Sequence, residues 1–395
     1  LIMLNLNQNK TYPTPSFLRL GFRPFFFAAG VIGVISMLMW IFFYQSIITS
    51  NTVSPSQWHA HEMIFAYASA VIVGFLLTAS KNWTGVQTLY GKPLLALFLL
   101  WVAGRFLPFV NYDYLLYQAI IDSSFLLIAT IAISHPIIKS KNWMHLAVVS
   151  KVLGLALAHI AYYMGALGGL DNGINIGLYT GFYLIISLLF MMSRRLVPFF
   201  IERGIGLSTE LKNSKFLDIA SLVLFLVFLI TEVFFTTIIA DILAGALFVI
   251  HTIRMVNWYH SGIWGKSLLW SIYLAYGFLT LGFGLHAITS FAILLPHIAL
   301  HSFAFGIALM TLSMMSRVSL GHTGRNVFTP PKILNSLFIL LSLSFVFRVI
   351  LPSISVEYYA QWILISQLLW IASFTLFALR YTPMFFKARI DGNFG

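Results

Sequence analysis

Twelve runs of apolar residues, separated by short polar loops, make up most of the chain. A helix that crosses a bilayer needs about 20 apolar residues, and 59% of the 395 residues are hydrophobic while only 9% are charged. This pattern excludes a soluble globular protein and predicts an all-α, polytopic membrane protein with about twelve transmembrane helices. The runs lie at 22–47, 58–80, 93–110, 114–135, 143–164, 174–194, 216–235, 237–256, 267–289, 297–317, 332–351 and 358–379.

Basic residues alternate from loop to loop. All but three of the 23 Lys and Arg residues fall in the terminal tails or in and beside every second loop. Because cytoplasmic loops accumulate Lys and Arg, both termini are predicted to be cytoplasmic. We expect a tail over 1–21, a single twelve-helix transmembrane domain over 22–380 and a second tail over 381–395. The net charge of +12 belongs to these loops, and no basic run interleaved with aromatic residues predicts nucleic-acid binding.

Histidine is the residue type that most constrains the chemistry. The chain has no cysteine, which excludes iron–sulfur clusters, thiolate metal sites and covalently attached c-type haem. Five of the eleven histidines gather in one layer near the outer ends of helices, where polar residues are costly and therefore candidates for function. They are His59 and His61 at the start of helix 2, His286 at the end of helix 9, and His297 and His301 at the start of helix 10, with His159 just beneath them.

The spacing of these histidines limits which of them can share a metal ion. His297 and His301 are four residues apart and lie on one face of a helix. His59 and His61 are two residues apart, so on a helix they would diverge by about 200° and reach one point only if His59 is still extended. Imidazole is the usual ligand of copper and iron, and the layer predicts a metal site. A solvated interfacial histidine is the alternative for each residue taken alone.

Two arginines and one glutamate accompany the histidine layer. Arg105 and Arg348 lie near the outer ends of helices 3 and 11, on a side that otherwise lacks basic residues. A guanidinium binds a carboxylate in a bidentate manner, so this pair is expected to hold haem propionates; the alternative is that both extend to the surface. Glu62 is expected to orient a ligating histidine or to take up protons, with stabilisation of the N-terminus of helix 2 as the alternative.

Repeated motifs hint at three blocks of four helices. The residues Met-Met-Ser-Arg close both helix 6 and helix 10, at 191–194 and 314–317, and helix 2 ends at the matching depth in 81–85. The Gly-His-Thr-Gly-Arg motif at 321–325 is interpreted as a tight turn, with an anion or partner site as the alternative.

A series of short motifs runs in order along nearly the whole chain. It comprises Gly-Phe-Arg-Pro-Phe-Phe at 21–26, His-Ala-His-Glu-Met at 59–63, Gly-Phe-Leu-Leu-Thr-Ala at 74–79, Asn-Trp-Thr-Gly at 82–85, Gly104-Arg105, Arg194-Arg195 with Pro198-Phe199, and Arg317 with 321–325. The series resembles the NnrS family of bacterial inner-membrane proteins. The resemblance implies a protein that contains haem and copper and is associated with nitric oxide response and tolerance. By position the resemblance includes these residues: His59, His61, Glu62, Arg105, His301, Arg317 and Arg348.

The residues and the resemblance together predict a b-type haem protein of the bacterial inner membrane that also binds copper. Nitric oxide would be its ligand or substrate, the lipid bilayer its surroundings and a membrane electron donor its partner. His61 and His301 are the expected axial ligands because they begin helices 2 and 10 at matching depth, and His59, His286 and His297 are reserve or copper ligands. Redox activity on nitric oxide and its sequestration both stay open.

Two readings without haem remain. A secondary transporter or metal-ion permease also commonly has twelve helices, and helices broken at the middle of the bilayer would favour it. A metal-free structural or partner-binding membrane protein is the third reading.

Overall fold

The computed structural model describes residues 12–47, 53–107, 114–207, 210–235, 237–289 and 296–395. Over these ranges the chain contains no strand and forms twelve long helices. Eleven are long and apolar enough to cross a membrane, and the shorter α3 has 16 residues. The predicted all-α, polytopic membrane protein is therefore confirmed. The helices are α1 (Phe22–Tyr44), α2 (Pro55–Thr84), α3 (Gly91–Phe106), α4 (Tyr114–Lys139), α5 (Leu146–Ala166), α6 (Gly173–Ile205), α7 (Lys215–Phe234), α8 (Ile238–Trp258), α9 (Ser267–Ile288), α10 (Pro296–His322), α11 (Ile333–Ile354) and α12 (Tyr359–Phe386).

Three helices continue five residues or more past their predicted ends. α6 runs to Ile205, α10 to His322 and α12 to Phe386, whereas the apolar runs stop at 194, 317 and 379. Hydropathy marks where a helix leaves the apolar layer, while the backbone hydrogen bonds continue until the chain is capped. The predicted tail at 381–395 accordingly begins as helix. Residues 1–11 of the N-terminal tail and 108–110 of the predicted third helix lie outside the described residues.

Helices differ sharply in how deeply they are buried. α2 and α10 lie at the centre of the bundle, and α7 lies at its edge. Leu222, Val223 and Leu226 on α7 are more than half exposed, as expected of side chains that face lipid rather than protein. α1 packs against both α2 and α12, so the first and last helices are neighbours. The predicted division into three four-helix blocks stays a prediction.

The two ends of the bundle are distinct. We call the end where Tyr12 and Phe394 meet, with ring centroids 5.2 Å apart, the terminal face. The opposite end, where α2 and α10 begin, is the histidine face. At the terminal face the fully buried Arg23 donates hydrogen bonds to the carbonyl oxygens of Met384, Phe385 and Lys387 at 2.8–2.9 Å. These bonds satisfy carbonyls at the end of α12 that have no partner within the helix.

Candidate metal and cofactor sites

A cavity of about 500 Å³ opens near the histidine face, between α1, α2, α6, α10, α11 and α12. Its volume is within the range of small-molecule and cofactor sites, roughly 300 to 1,000 Å³. Most of the wall is apolar or aromatic. Four side chains able to bind a metal or an anion line it, namely His59, His297, His301 and Arg348.

The start of α2 directs His59 into this cavity. Ser54 caps the helix, accepting a hydrogen bond from the Gln57 amide at 3.3 Å, and the Gln57 side chain accepts one from the Ser54 amide at 3.0 Å. This reciprocal cap fixes helical geometry before His59 is reached. The imidazole stacks on Trp40 with ring centroids 4.5 Å apart. Its Nδ1 is buried and has no hydrogen-bond partner among the described residues.

His297 and His301 occupy successive turns of α10, as their spacing predicts. The Nδ1 of His301 lies 2.7 Å from the carbonyl oxygen of His297. Since a carbonyl can only accept, this Nδ1 carries the proton, and Nε2 keeps the lone pair that a metal requires. The Nε2 of His297 is hydrogen-bonded to the Tyr359 hydroxyl at 2.7 Å. His301 is therefore the better prepared ligand of the two.

Arg348 lies on a π-helical turn, Val346–Ile350, within α11. Such turns are rare and are frequent at functional sites, and α2 carries another over Glu62–Ala68, directly after His61. The guanidinium lies near the Tyr359 ring, 6.0 Å from its centroid. Its Nη1 is buried without a hydrogen-bond partner, and no described carboxylate forms an ion pair with it. Arg348 is thus a buried cation that lacks an anion.

A second cluster lies beside the cavity, between α2, α4 and α5. His61 and His159 are 2% and 1% exposed, and their Nε2 atoms are 2.9 Å apart. Together with Asp122 they offer three ligand atoms within 4.8 Å of one another, a group that could hold a metal ion. The Nδ1 of His61 lies 3.0 Å from Glu62 Oε1, the arrangement in which a carboxylate orients a metal-binding histidine.

An ion-pair network extends from this cluster. Arg105 donates to both carboxylate oxygens of Glu62 at 3.1 Å and to Asp122. The Tyr163 hydroxyl donates to the same Asp122 at 2.7 Å. Gly104 makes this approach possible, because a Cβ there would lie 1.8 Å from Asp122 Oδ1. The network gives Arg105 two carboxylate partners, whereas its buried Nε has no hydrogen-bond partner among the described residues.

The family of the chain follows from its sequence. A model of the NnrS protein family matches residues 16–389, nearly the whole length. The chain belongs to the NnrS family. No curated protein matches it.

In this NnrS member the histidine layer is divided between sites. His59 and His61 diverge as helical geometry requires, since His59 already lies within α2; His59 lines the cavity and His61 turns to His159. The structure places His61 and His301 in different sites, because His61 is absent from the wall of the cavity that His301 lines. Arg105 and Glu62 also belong to the second cluster, so only Arg348 stays in place for a propionate.

His286 belongs to neither site. Its Nε2 lies 3.1 Å from Glu232 and its Nδ1 lies 3.2 Å from Asp241. With a carboxylate at each ring nitrogen, the imidazole is arranged as a cation between two anions rather than as a metal ligand with a free lone pair. The structure supports an ion-pair role for His286 instead of the predicted ligand role.

Two partners in the second cluster were not predicted. Neither Asp122 nor Tyr163 is among the site residues predicted from the sequence. The signal for Asp122 was present, since a buried arginine such as Arg105 requires an acidic partner and few acidic residues lie within the apolar runs. Tyr163 gives no such signal, because its role depends on how α4 and α5 pack.

The Gly-His-Thr-Gly-Arg motif at the end of α10 binds the chain's own C-terminal segment. The Ile390 amide donates to the Thr323 carbonyl at 3.2 Å, and Arg389 donates to the His322 carbonyl at 3.2 Å. Gly324 adopts a φ of +79°, which favours glycine. The motif therefore forms the predicted turn, and the carbonyl oxygens of His322 and Thr323 are bound by the C-terminal segment.

Proposed function

We propose that this protein is a haem- and copper-binding inner-membrane protein that acts in nitric oxide metabolism or tolerance. The observation that carries the proposal is the cavity of about 500 Å³, which combines three histidines with an unpaired, buried arginine. Membership of the NnrS family supports the same conclusion. The described residues otherwise offer no anion to Arg348 and no donor to the open nitrogen of His301.

The donor set fits a b-type haem. His59 on α2 and His301 on α10 border the same cavity, and both have a ring nitrogen without a protein partner. Non-covalent haem is held by such imidazoles, and Arg348 would bind a propionate through its free Nη1. Trp40 and Tyr359 restrain His59 and His297 through stacking and hydrogen bonding. A bound haem would supply an iron that transfers an electron when two imidazoles ligate it, or accepts nitric oxide when one does.

The second cluster is the proposed copper site. The Nε2 atoms of His61 and His159 are 2.9 Å apart, and with Asp122 they offer three ligand atoms within 4.8 Å of one another, so these residues would hold the ion. Imidazole suits copper, and the chain has no thiolate to compete for it. Glu62 would fix the orientation of His61, while Arg105 would offset the charge of Glu62 and Asp122.

The proposed orientation follows the basic loops, with the terminal face cytoplasmic and the histidine face on the outer side of a bacterial inner membrane. The apolar cavity wall would exclude water from a ligand. A membrane electron donor would complete redox turnover; without one the same site would sequester nitric oxide.

An optical spectrum of the detergent-purified protein tests the proposal, taken oxidised and dithionite-reduced, with and without nitric oxide, beside iron and copper analysis. We expect a Soret band with reduced b-type bands, one iron and one copper per chain. If the bands shift with nitric oxide, the iron has an open coordination position. If the bands do not shift, the haem serves electron transfer. A colourless preparation after haem-supplemented expression, without copper, would refute the proposal and favour a transporter. The described helices favour haem over transport, since none of them is interrupted by an unwound segment of the kind typical of transporters.

A further inference from the structure

A second, smaller cavity lies closer to the terminal face than the first. Its wall differs in chemistry from that of the first cavity. Its volume is about 60 Å³, and we call it the apolar pocket. The wall is made of aliphatic, aromatic and methionine side chains of α1, α2, α6, α9 and α10, and its only hydroxyl-bearing residues are Ser193 and Thr311. The Thr311 hydroxyl is already bound to Tyr67 and to backbone carbonyls of its own helix. A charged or polar ligand would find almost no partner here.

The apolar pocket and the cofactor cavity share α1, α2, α6 and α10, and along the last three of these helices their walls are adjacent. On α2, Ala68 lines the cavity and Val71 the pocket; on α6, Ile185 and Leu188 do the same. Each pair is three residues apart, less than one helical turn of 5.4 Å. On α10, Ala308 lines the cavity and Thr311 the pocket in the same way. The partition between the two spaces is therefore about one turn thick.

A side-chain hydrogen bond crosses this partition. The hydroxyl of Tyr67, which lines the cavity, is hydrogen-bonded to the hydroxyl of Thr311, which lines the pocket, at 2.7 Å. Leu189, Leu196 and Phe200 border the pocket and are only half-buried, so it lies near the bilayer. Small uncharged, apolar molecules favour such surroundings over water.

We propose that the apolar pocket binds a small uncharged gas, with nitric oxide as the physiological one, and passes it from the bilayer to the cofactor cavity across the Tyr67–Thr311 contact. Size and chemistry exclude most other occupants. Dry apolar cavities of about 150 Å³ take benzene or xenon, and the 60 Å³ here suits only a single atom or a diatomic molecule. The polarisable sulfurs of Met192, Met310 and Met314 add dispersion attraction. The inference rests on the proposed function for the identity of the gas, but not for the existence of the site.

Xenon tests the site without haem. Crystals of the full chain pressurised with xenon are expected to show an anomalous peak between Leu188, Ile272 and Met310. Leu189→Phe, which adds volume at the border of the pocket, is expected to abolish the peak. Absence of xenon from the wild-type pocket would overturn the inference, whatever the haem content.

Nitric oxide kinetics test the route. In Leu189→Phe we expect association with the reduced, haem-loaded protein to slow roughly tenfold, equivalent to about 1.4 kcal/mol of barrier, at unchanged haem content and final spectrum. Leu196→Phe is the second variant in case the first fails to fold, and the lipid-facing Leu222→Phe, at a residue 59% exposed, is the matched control. An unchanged rate in a folded, haem-loaded pocket variant would overturn the route. A wild type that binds xenon but no haem would instead refute the proposed function alone.

Discussion

The two histidine clusters lie side by side in one layer, yet they differ in how their polar groups are satisfied. In the cluster of His61 and His159, Arg105 faces two carboxylates and Asp122 also accepts from Tyr163. In the cavity, Arg348 lacks a counter-ion and the buried Nδ1 of His59 lacks a hydrogen-bond partner among the described residues. Buried polar groups are nearly always paired. The Nε of Arg105 and the Nδ1 of His159 are also buried without a hydrogen-bond partner, so the clusters differ chiefly in how their charges are paired. The cavity has a cation that no described carboxylate faces and can therefore accept an anionic ligand, whereas Arg105 and the two carboxylates of the other cluster face one another.

The largest effect on this contrast between the clusters is expected from His301→Ala, which should lose haem. The residue presents the only cavity imidazole with a proton fixed on Nδ1 by a backbone carbonyl, so its removal deletes the best prepared ligand. We expect most of the bound haem to be lost at normal expression, measured as Soret absorbance per chain. His135→Ala, at an exposed histidine of α4, should keep full occupancy. Equal haem in His301→Ala and wild type would end the assignment of the cavity.

Arg105→Gln should produce the largest loss of stability. It leaves the buried carboxylates of Glu62 and Asp122 without their cation, a change that typically costs about 3–5 kcal/mol. The melting temperature in detergent should fall markedly, and adding Asp122→Asn should recover part of the loss because the two effects are coupled. Arg203→Gln, at an exposed arginine of α6, is the control. An unchanged melting temperature would mean that the ion-pair network of Arg105, Glu62 and Asp122 does not stabilise the fold.

His61→Ala and His159→Ala sharpen the division of labour between the clusters. Each removes one of the two imidazoles that meet at 2.9 Å, so we expect copper per chain to fall several-fold in both, while haem is retained. The matched comparison is His59→Ala, for which the opposite pattern is expected. If His61→Ala lost haem and kept copper, the originally predicted pairing of His61 with His301 would be restored.

Sequence patterns predicted the helices and their number because hydropathy reports burial in lipid directly. They also predicted which polar residues lie toward the same end of the bundle, since this follows from position along a helix. They could not assign partners, because the direction of a side chain around a helix depends on where the helix starts. With helix 2 predicted to begin at residue 58, His59 could still have been extended. The cap at Ser54 makes His59 helical, so its side chain points away from that of His61. Gly104 beside Asp122 likewise has meaning only once α3 and α4 are packed.

A smaller effect is expected at Arg348. Arg348→Gln removes the unpaired cation of the cavity wall but leaves the three histidines, so haem should still bind. We expect roughly tenfold weaker haem affinity, or about 1.4 kcal/mol, measured by transfer of haem to an excess of apomyoglobin. Arg348→Lys keeps the charge but not the bidentate geometry, so its haem affinity should lie between those of the wild type and Arg348→Gln. Unaltered affinity in Arg348→Gln would show that the buried cation serves the fold instead of a propionate.

The smallest effect is expected where the chain binds itself, at the terminal face. The Arg389 guanidinium donates to both carboxylate oxygens of Asp391 at 2.6–2.9 Å and holds the pKa of that carboxyl well below its usual range. A depressed pKa means that the pair stabilises docking above the ordinary Asp pKa of about 3.9 and loses this contribution only as pH falls through the lower, folded value.

Docking of the C-terminal segment should accordingly be unchanged between pH 8 and 5. Asp391→Asn should make the free energy of docking of this segment less favourable at neutral pH by at most about 1 kcal/mol, because the Arg389–Asp391 pair is exposed. Hydrogen exchange of the Ile390 amide, which donates to the Thr323 carbonyl, measures this directly. Because Arg23 anchors the preceding residues from within the bundle, haem and copper contents should not change. Faster exchange together with loss of haem would mean that the two faces are coupled, and the contrast between a closed terminal face and an open histidine face would not hold.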